Sequence, residues 1–369
     1  MVINLHDASG KRKSKWIPTN LKVKGNKKHA EKLLRDTLTE YEKREKFIHS
    51  DMTFADAIRQ WLSDTEIRVD KATFQSYTEL TRTQVLPYFD ALGIKLIDVD
   101  RQTLQAYINE KHKNGRRDGK GGLSPATIRH HKNVLFQTLR DAVKNNIIPS
   151  NPCEYIALPQ KQRHEASFYK PDQCNALFEA IRDQDIYPIV KVAAVYGLRR
   201  SEALGLKWDS VDFNNGIMTI KHTVVRHITV IEKDKTKNAS SYRSFPLLPE
   251  IRALFLDLKA QIEENSKLFG NSFVQNDYIF RWADGRPFAP EFVTQKFNKL
   301  LKQNNLPHIR FHDLRHSCAS NLLAMGFNLK DISEWLGHSD IQITANIYSH
   351  LDVTRKQAMA DKIGAALSP

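Results

Sequence analysis

Residues 311–352 read FHDLRHSCASNLLAMGFNLKDISEWLGHSDIQITANIYSHLD, and their reading decides that of the whole chain. Residues three and four apart share a helix face, so His312, Arg315 and His316 are expected side by side. Leu322, Leu323, Met325, Ile332, Trp335 and Leu336 supply apolar positions that would bury themselves and fold the segment back on itself. Gly326 and Gly337 stand where turns are needed, and Gly337-His338 presents an imidazole just past a helix end. Tyr348 follows ten residues later, after Ile341, Ile343 and Ile347. The segment gathers an arginine, imidazoles and a phenol. Such a set suits attack by a phenol oxygen on a phosphodiester, with cationic groups on the charge that develops.

Upstream, residues 197–208 read GLRRSEALGLKW. Ile189 to Tyr196 is an apolar helix that Gly197 is expected to end. Arg199 has a planar fork able to hold two phosphate oxygens at once, and Glu202, three residues on, can face it. Arg200 is expected to be a surface charge.

The ordered trio, GLRRSE, then HxxRH, then LGH followed by NxY, resembles the tyrosine recombinases or phage-type integrases, most closely those of conjugative transposons. The resemblance covers essentially the whole chain, most strongly residues 190–352 and most weakly those before 60. It implies a site-specific recombinase that cuts and rejoins DNA through a 3′-phosphotyrosyl bond and a Holliday junction, integrating and excising a mobile element. Tyr348 would be the nucleophile, and Arg199 and Arg315 would bind the non-bridging oxygens. His312 and His338 would orient groups and share protons, with His316 in a packing role. The family also uses a lysine on the turn after residue 232 as general acid. Counting back from Arg243-Ser244-Phe245-Pro246 favours Lys237, whereas the Lys-Thr dipeptide favours Lys235. Lys237 is preferred, because a returning strand fixes register better than a loop. The phosphotyrosyl bond conserves the bond energy, so the resemblance implies no ATP, no other cofactor and no metal. It implies double-stranded DNA at core and arm sites as partner, a homotetramer on that DNA, and admits an excisionase or DNA-bending host protein as helper.

Composition agrees. The chain has 369 residues, 41% of them hydrophobic, enough for two or three packed domains. A formal charge of +14 favours a polyanionic partner. No stretch approaches about 20 continuous apolar residues, and no signal peptide is evident, so the expected location is the bacterial cytosol, on DNA and not at a membrane. Cys153, Cys174 and Cys318 are widely spaced and odd in number, as for reduced thiols.

The expected fold class is mainly α with small β-sheets (α+β), in three parts. Residues 1–48 carry 13 Lys and Arg against 6 Asp and Glu within the first 50 positions. They resemble an arm-type DNA-binding module, a small three-stranded sheet plus helix. Residues 51–160 read as a helical, SAM-like core-binding domain. Thr53 and Ser124-Pro125 mark helix starts, a further helix starts at Thr73, and Arg116, Lys120, Arg129, His130 and Lys132 are candidates for phosphate contact. Residues 165–369 form the mixed catalytic domain. Positions 216–231 alternate as a strand, residues 242–247 return as another, and Tyr278-Ile279-Phe280 is a short strand. The tail, 353–369, carries Met359, Ile363, Ala366 and Leu367 at helical spacing.

Three rival readings fit less of the sequence. A metal hydrolase using His312, His316 and His338 would have Asp313 where zincins need Glu, and would leave Arg199 and Tyr348 without roles. A non-catalytic DNA-binding regulator explains charge and helices but not the full reactive set. A type IB topoisomerase shares the chemistry but not the arm module or the compact size.

Overall fold

The computed structural model describes residues 2–6, 12–16, 26–45, 51–160, 167–226, 230–233, 242–337, 360–361 and 363–367. The chain divides into two compact units, Met1–Gln162 and Arg163–Pro369. Helices dominate both, and none of those described is long and apolar enough to cross a membrane.

In the first unit, β1 (Val2–His6) pairs antiparallel with β2 (Arg12–Trp16), Val2 opposite Trp16, and α1 spans Lys27–Glu45. The third strand expected here falls on residues outside those described. Next, α2 (Phe54–Thr65) starts where Thr53 predicts, its hydroxyl accepting the Asp56 N–H at 3.1 Å. The helix α3 (Lys71–Leu80) begins two residues before Thr73, because Asp70 takes the Thr73 N–H at 3.0 Å and is the better cap. A π turn at Thr81–Val85 leads into α4 (Leu86–Leu92). Pro87 can give no N–H and its ring crowds the carbonyl of Thr83, which explains why the helix widens there. Two longer helices complete the bundle, α5 (Arg101–Asn114) and α6 (Pro125–Lys144), the latter capped by Ser124 as expected. Phe54, Ile58, Phe89, Leu104, Tyr107, Ile128, Leu135 and Leu139 close one core. His131 is fully buried in it, 2.7 Å from the Tyr107 hydroxyl. Burial foremost, with Lys111 and His130 adding, pulls its pKa down to about 4, so it is a neutral core imidazole.

The second unit holds α7 (Pro171–Ala180), α8 (Tyr187–Tyr196) and the short α9 (Arg200–Leu204). Then come β3 (Val211–Asp212), β4 (Ile217–Ile220), β5 (Thr223–Arg226), β6 (Val230–Lys233) and β7 (Arg243–Pro246). The helices α10 (Pro249–Phe269), α11 (Pro290–Gln303), α12 (Asp313–Ala324) and α13 (Leu329–Leu336) follow.

Three expectations are corrected here. Positions 216–231 do not form one strand. β4 joins β3 and β7 in an antiparallel sheet, while β5 and β6 form a separate hairpin. The break comes at Lys221 and His222, where the Lys221 ammonium donates to the Asp209 carbonyl at 2.8 Å. There the His222 carbonyl lies so near Gly205 that a Cβ would stand 2.4 Å from it. Residues 278–280 are likewise no strand. The Asn276 side chain takes the Tyr278 N–H at 3.0 Å and Ile279 donates to Leu206 at 2.9 Å, leaving only isolated bridges. Met325, expected inside, is 67% exposed, because Cys318, Ala319, Leu323, Ile332 and Leu336 close the local core without it.

Candidate functional site

Helix α8 ends at Gly197 in the left-handed conformation, φ 64°, with its N–H on the Ala193 carbonyl. A Cβ there would also lie 2.4 Å from Leu336 on α13. Only glycine gives both the turn and the close approach. Gly197→Ala should therefore lose about 2–4 kcal/mol of stability, combining backbone strain with overpacking. Urea unfolding checks this, and an unchanged midpoint would show that α13 can move aside.

The turn delivers Arg199 to the start of α9, and Glu202 reaches back to it. The carboxylate, 2% exposed, accepts from Arg199 Nη1 at 2.6 Å and from the Arg199 backbone N–H at 3.0 Å. The oxygen that takes the backbone N–H also accepts from Arg243 Nη2, on β7, at 2.9 Å. Burial pushes the Glu202 carboxyl up, but the Arg243 and Arg199 charges and hydrogen bonds outweigh it and hold the pKa below the ordinary value. The expected pairing of Arg199 with Glu202 is thus present. Arg200 is not the free surface charge expected. Its guanidinium donates to the Pro290 carbonyl and the Thr294 hydroxyl, tying α9 to α11.

Arg315 approaches from α12 and is 1% exposed. Its Nη1 donates to the Gly197 carbonyl at 2.7 Å and its Nη2 to the Leu336 carbonyl at 2.6 Å. Burial first and the Arg199 charge second draw its pKa down to about 9, which leaves it a cation at neutral pH. Helix α12 is fixed at its start by Asp313, buried and held by Arg310 at 2.8 Å, and along its length by Ser317, whose hydroxyl accepts the Tyr169 N–H at 2.8 Å.

The carbonyl end of α13 organises these groups. Gly337, at φ 67°, closes the helix by donating to Glu334 and Ser333. The next three carbonyls each accept from a different arginine: Trp335 from Arg243 Nε at 3.0 Å, Leu336 from Arg315, and Gly337 from Arg199 Nη2 at 3.3 Å. Carbonyls that a helix end would leave unpaired, at the negative pole of its dipole, become the anchor of three cations. Their combined charge exceeds what Glu202 balances, so the cluster is electrostatically ready for one further anion. Of the three, Arg199 keeps the most exposed side chain, 33% against 8% for Arg243. It is the fork that presents itself to a ligand.

His312 stands at the cap before α12, and His316 one turn on, with ring centroids 5.2 Å apart and planes nearly perpendicular. Desolvation first, then the charges of His316 and Arg315, lower the His312 pKa to about 4. The residue keeps exposed surface, and the Arg199 charge adds to the lowering. Both imidazoles are neutral near pH 7, able to accept a proton, with His316 lowered by burial despite Asp313 3.9 Å away.

The structure therefore brings Arg199, His312 and Arg315 together, as the sequence predicts. Lys237, Lys235, His338 and Tyr348 lie outside the described residues. Arg243 is the residue that sequence reasoning passed over: it served only to set the register of the returning strand.

Residues 167–355 match the phage integrase family, and residues 53–112 match the phage integrase N-terminal SAM-like domain. A XerC-like tyrosine recombinase of Caldanaerobacter subterraneus subsp. tengcongensis is 26% identical across 82% of this chain and 80% of its own length. The ICEBs1 integrase of Bacillus subtilis is 28% identical across 66% of each chain. Among solved structures, the Tn1549 transposon integrase in complex with a circular intermediate DNA shares the fold, with a TM-score of 0.67 and 21% identity, covering 84% of this chain and 99% of that one. The family match spans more than half of the residues, and the arginine cluster lies within it: the chain belongs to the phage integrase family, the tyrosine site-specific recombinases.

Proposed function

We propose that the chain integrates and excises a mobile element by cutting and rejoining DNA through Tyr348. The observation that supports this most is the set of three guanidiniums on the carbonyl end of α13. In this reading a DNA phosphate sits against Arg199, with Arg315 beneath it. The Tyr348 oxygen attacks phosphorus, the bond to the 5′ oxygen breaks, and a 3′-phosphotyrosyl bond replaces it. Lys237 gives a proton to the leaving 5′ oxygen, with Lys235 the alternative donor. His312, neutral at pH 7, takes the phenol proton. Attack by a 5′ hydroxyl from a second duplex reverses the step and exchanges strands. Bond energy is conserved, and no cofactor takes part in this scheme.

The domain assignments belong to the same proposal. Residues 51–160 clamp duplex DNA, with the exposed Arg129 and His130 better placed for phosphate than Arg116, which Asp118 already holds at 2.6 Å. Residues 165–369 carry the chemistry. Four copies act on two paired duplexes, with an excisionase or DNA-bending host protein as helper. In the tail, residues 363–367 are helical with Ile363 55% and Leu367 79% exposed, which suits docking on a neighbouring copy.

Suicide duplexes carrying the recombination site, itself found by sequencing junctions formed in cells, test the chemistry. A protein–DNA adduct that survives denaturation is expected, and its absence would overturn the proposal. Deleting residues 1–48 should leave cleavage of short core-site duplexes unchanged while removing binding to separate arm sites. Gel-shift and cleavage assays on the two DNA types check this, and loss of core cleavage would make these residues part of the core.

A further inference from the structure

We propose that Arg243 is a positioning residue for strand cleavage: it locks Glu202 onto Arg199 and fastens the carbonyl end of α13, so that Arg199 is held in the pose that addresses a phosphate. The inference rests on the recombinase reading above.

Arg243 is placed by the sheet. It begins β7, opposite Ile220 of β4, and its guanidinium lies 5.2 Å from the Phe245 ring centroid on the same strand. Phe245 in turn meets Trp335 edge to face at 4.8 Å. From that fixed point the fork performs two tasks. Nη2 and Nη1 reach the two Glu202 oxygens at 2.9 and 3.4 Å, and Nε reaches the Trp335 carbonyl at 3.0 Å. The same Glu202 oxygen that meets Nη1 is the one that holds Arg199 at 2.6 Å. The Arg243 fork is committed to Glu202 and to the Trp335 carbonyl, and no DNA contact is assigned to it. It acts through Glu202, which orients the phosphate-binding arginine, and through the Trp335 carbonyl, which fixes the end of α13.

The two tasks separate chemically. Glutamine at this position removes the charge and the fork, whereas lysine retains a cation for Glu202 but cannot also pair with the Trp335 carbonyl in the same geometry. The charged groups facing Glu202 are Arg199 at the start of its own helix, Arg243 from β7 and Arg315 from α12. Without Arg243, Glu202 has less positive charge around it, and its pKa must rise. Cleavage then falls with decreasing pH as Glu202 protonates and releases Arg199.

The experiment is single-turnover cleavage of a suicide duplex by the full chain, from pH 5 to 8 in order-of-magnitude steps of proton activity, beside DNA-binding titrations. Arg243→Gln should slow cleavage on the order of 10²-fold, as for a small misplacement of reacting groups, with affinity for DNA near that of the wild type. It should also gain an acid limb that the wild type lacks, and Glu202→Gln added to it should remove that limb. Arg243→Lys should show no added limb yet remain slower than the wild type. Should the glutamine variant not fold, the lysine variant and its pH profile carry the test alone. A rate and pH profile equal to wild type in either folded variant would overturn the inference, as would equal losses in both with no limb in the glutamine variant. Absence of any adduct from the wild type would overturn the recombinase reading and this inference with it. A wild-type adduct beside unaltered Arg243 variants would overturn this inference alone.

Discussion

Tyr348→Phe is expected to bind its recombination site with wild-type affinity and to leave no covalently attached protein on a denaturing gel. The substitution removes one oxygen and retains the ring, so whatever the phenyl group packs against is preserved. That oxygen is the proposed nucleophile, and no step of the reaction proceeds without it. Cleavage should fall by a factor on the order of 10⁴ or more, the scale seen when a nucleophile is removed from an otherwise intact site. Affinity should hold, since it is spread across many phosphate contacts over a chain of formal charge +14. Detection of an adduct with the phenylalanine variant would transfer the role to another residue. Loss of binding alongside loss of cleavage would point to a fold defect, which circular dichroism would reveal.

The grouping of His312, Arg315 and His316 was legible because their spacing is set by local geometry. In the segment HDLRH, His312 caps α12 and His316 stands one turn further on, so their rings meet at 5.2 Å through nothing but helical rise. Gly197 and Gly337 were legible for the same reason: each ends a helix in a conformation other residues resist, at φ 64° and 67°. Arg243 was not legible. Its partners Glu202 and Trp335 stand 41 and 92 positions away, joined only by the pairing of β4 with β7 and the docking of α13. The same limit explains the single strand expected over residues 216–231. Apolar residues recur on both sides of Lys221 and His222, but the backbone contact with Gly205 that breaks the ladder comes from another element. Met325 shows the converse: an apolar residue at helical spacing stays 67% exposed when the local core closes without it.

Arg199→Lys is the second variant with a large expected effect, and the structure says why charge alone is insufficient. The Arg199 fork is already committed on two edges, to Glu202 at 2.6 Å and to the Gly337 carbonyl at 3.3 Å. Those bonds hold the plane of a side chain that stays one-third exposed. Lysine offers a single ammonium on a flexible stem. It can satisfy the buried Glu202 or reach outward to a phosphate, but it cannot hold both positions with a rigid plane between them. Glu202 is 2% exposed, and burying its charge without full pairing is costly, so the ammonium is expected to turn inward. Cleavage should then drop on the order of 10²–10³-fold, the loss associated with removing one preorganised donor from a developing charge. Binding should change little, and the unfolding midpoint should remain near wild type because the ion pair with Glu202 persists. Single-turnover cleavage and a urea titration on the same preparation read these effects separately. A lysine variant that cleaves at the wild-type rate would show that Arg315, not Arg199, provides the phosphate contact on which the reaction depends.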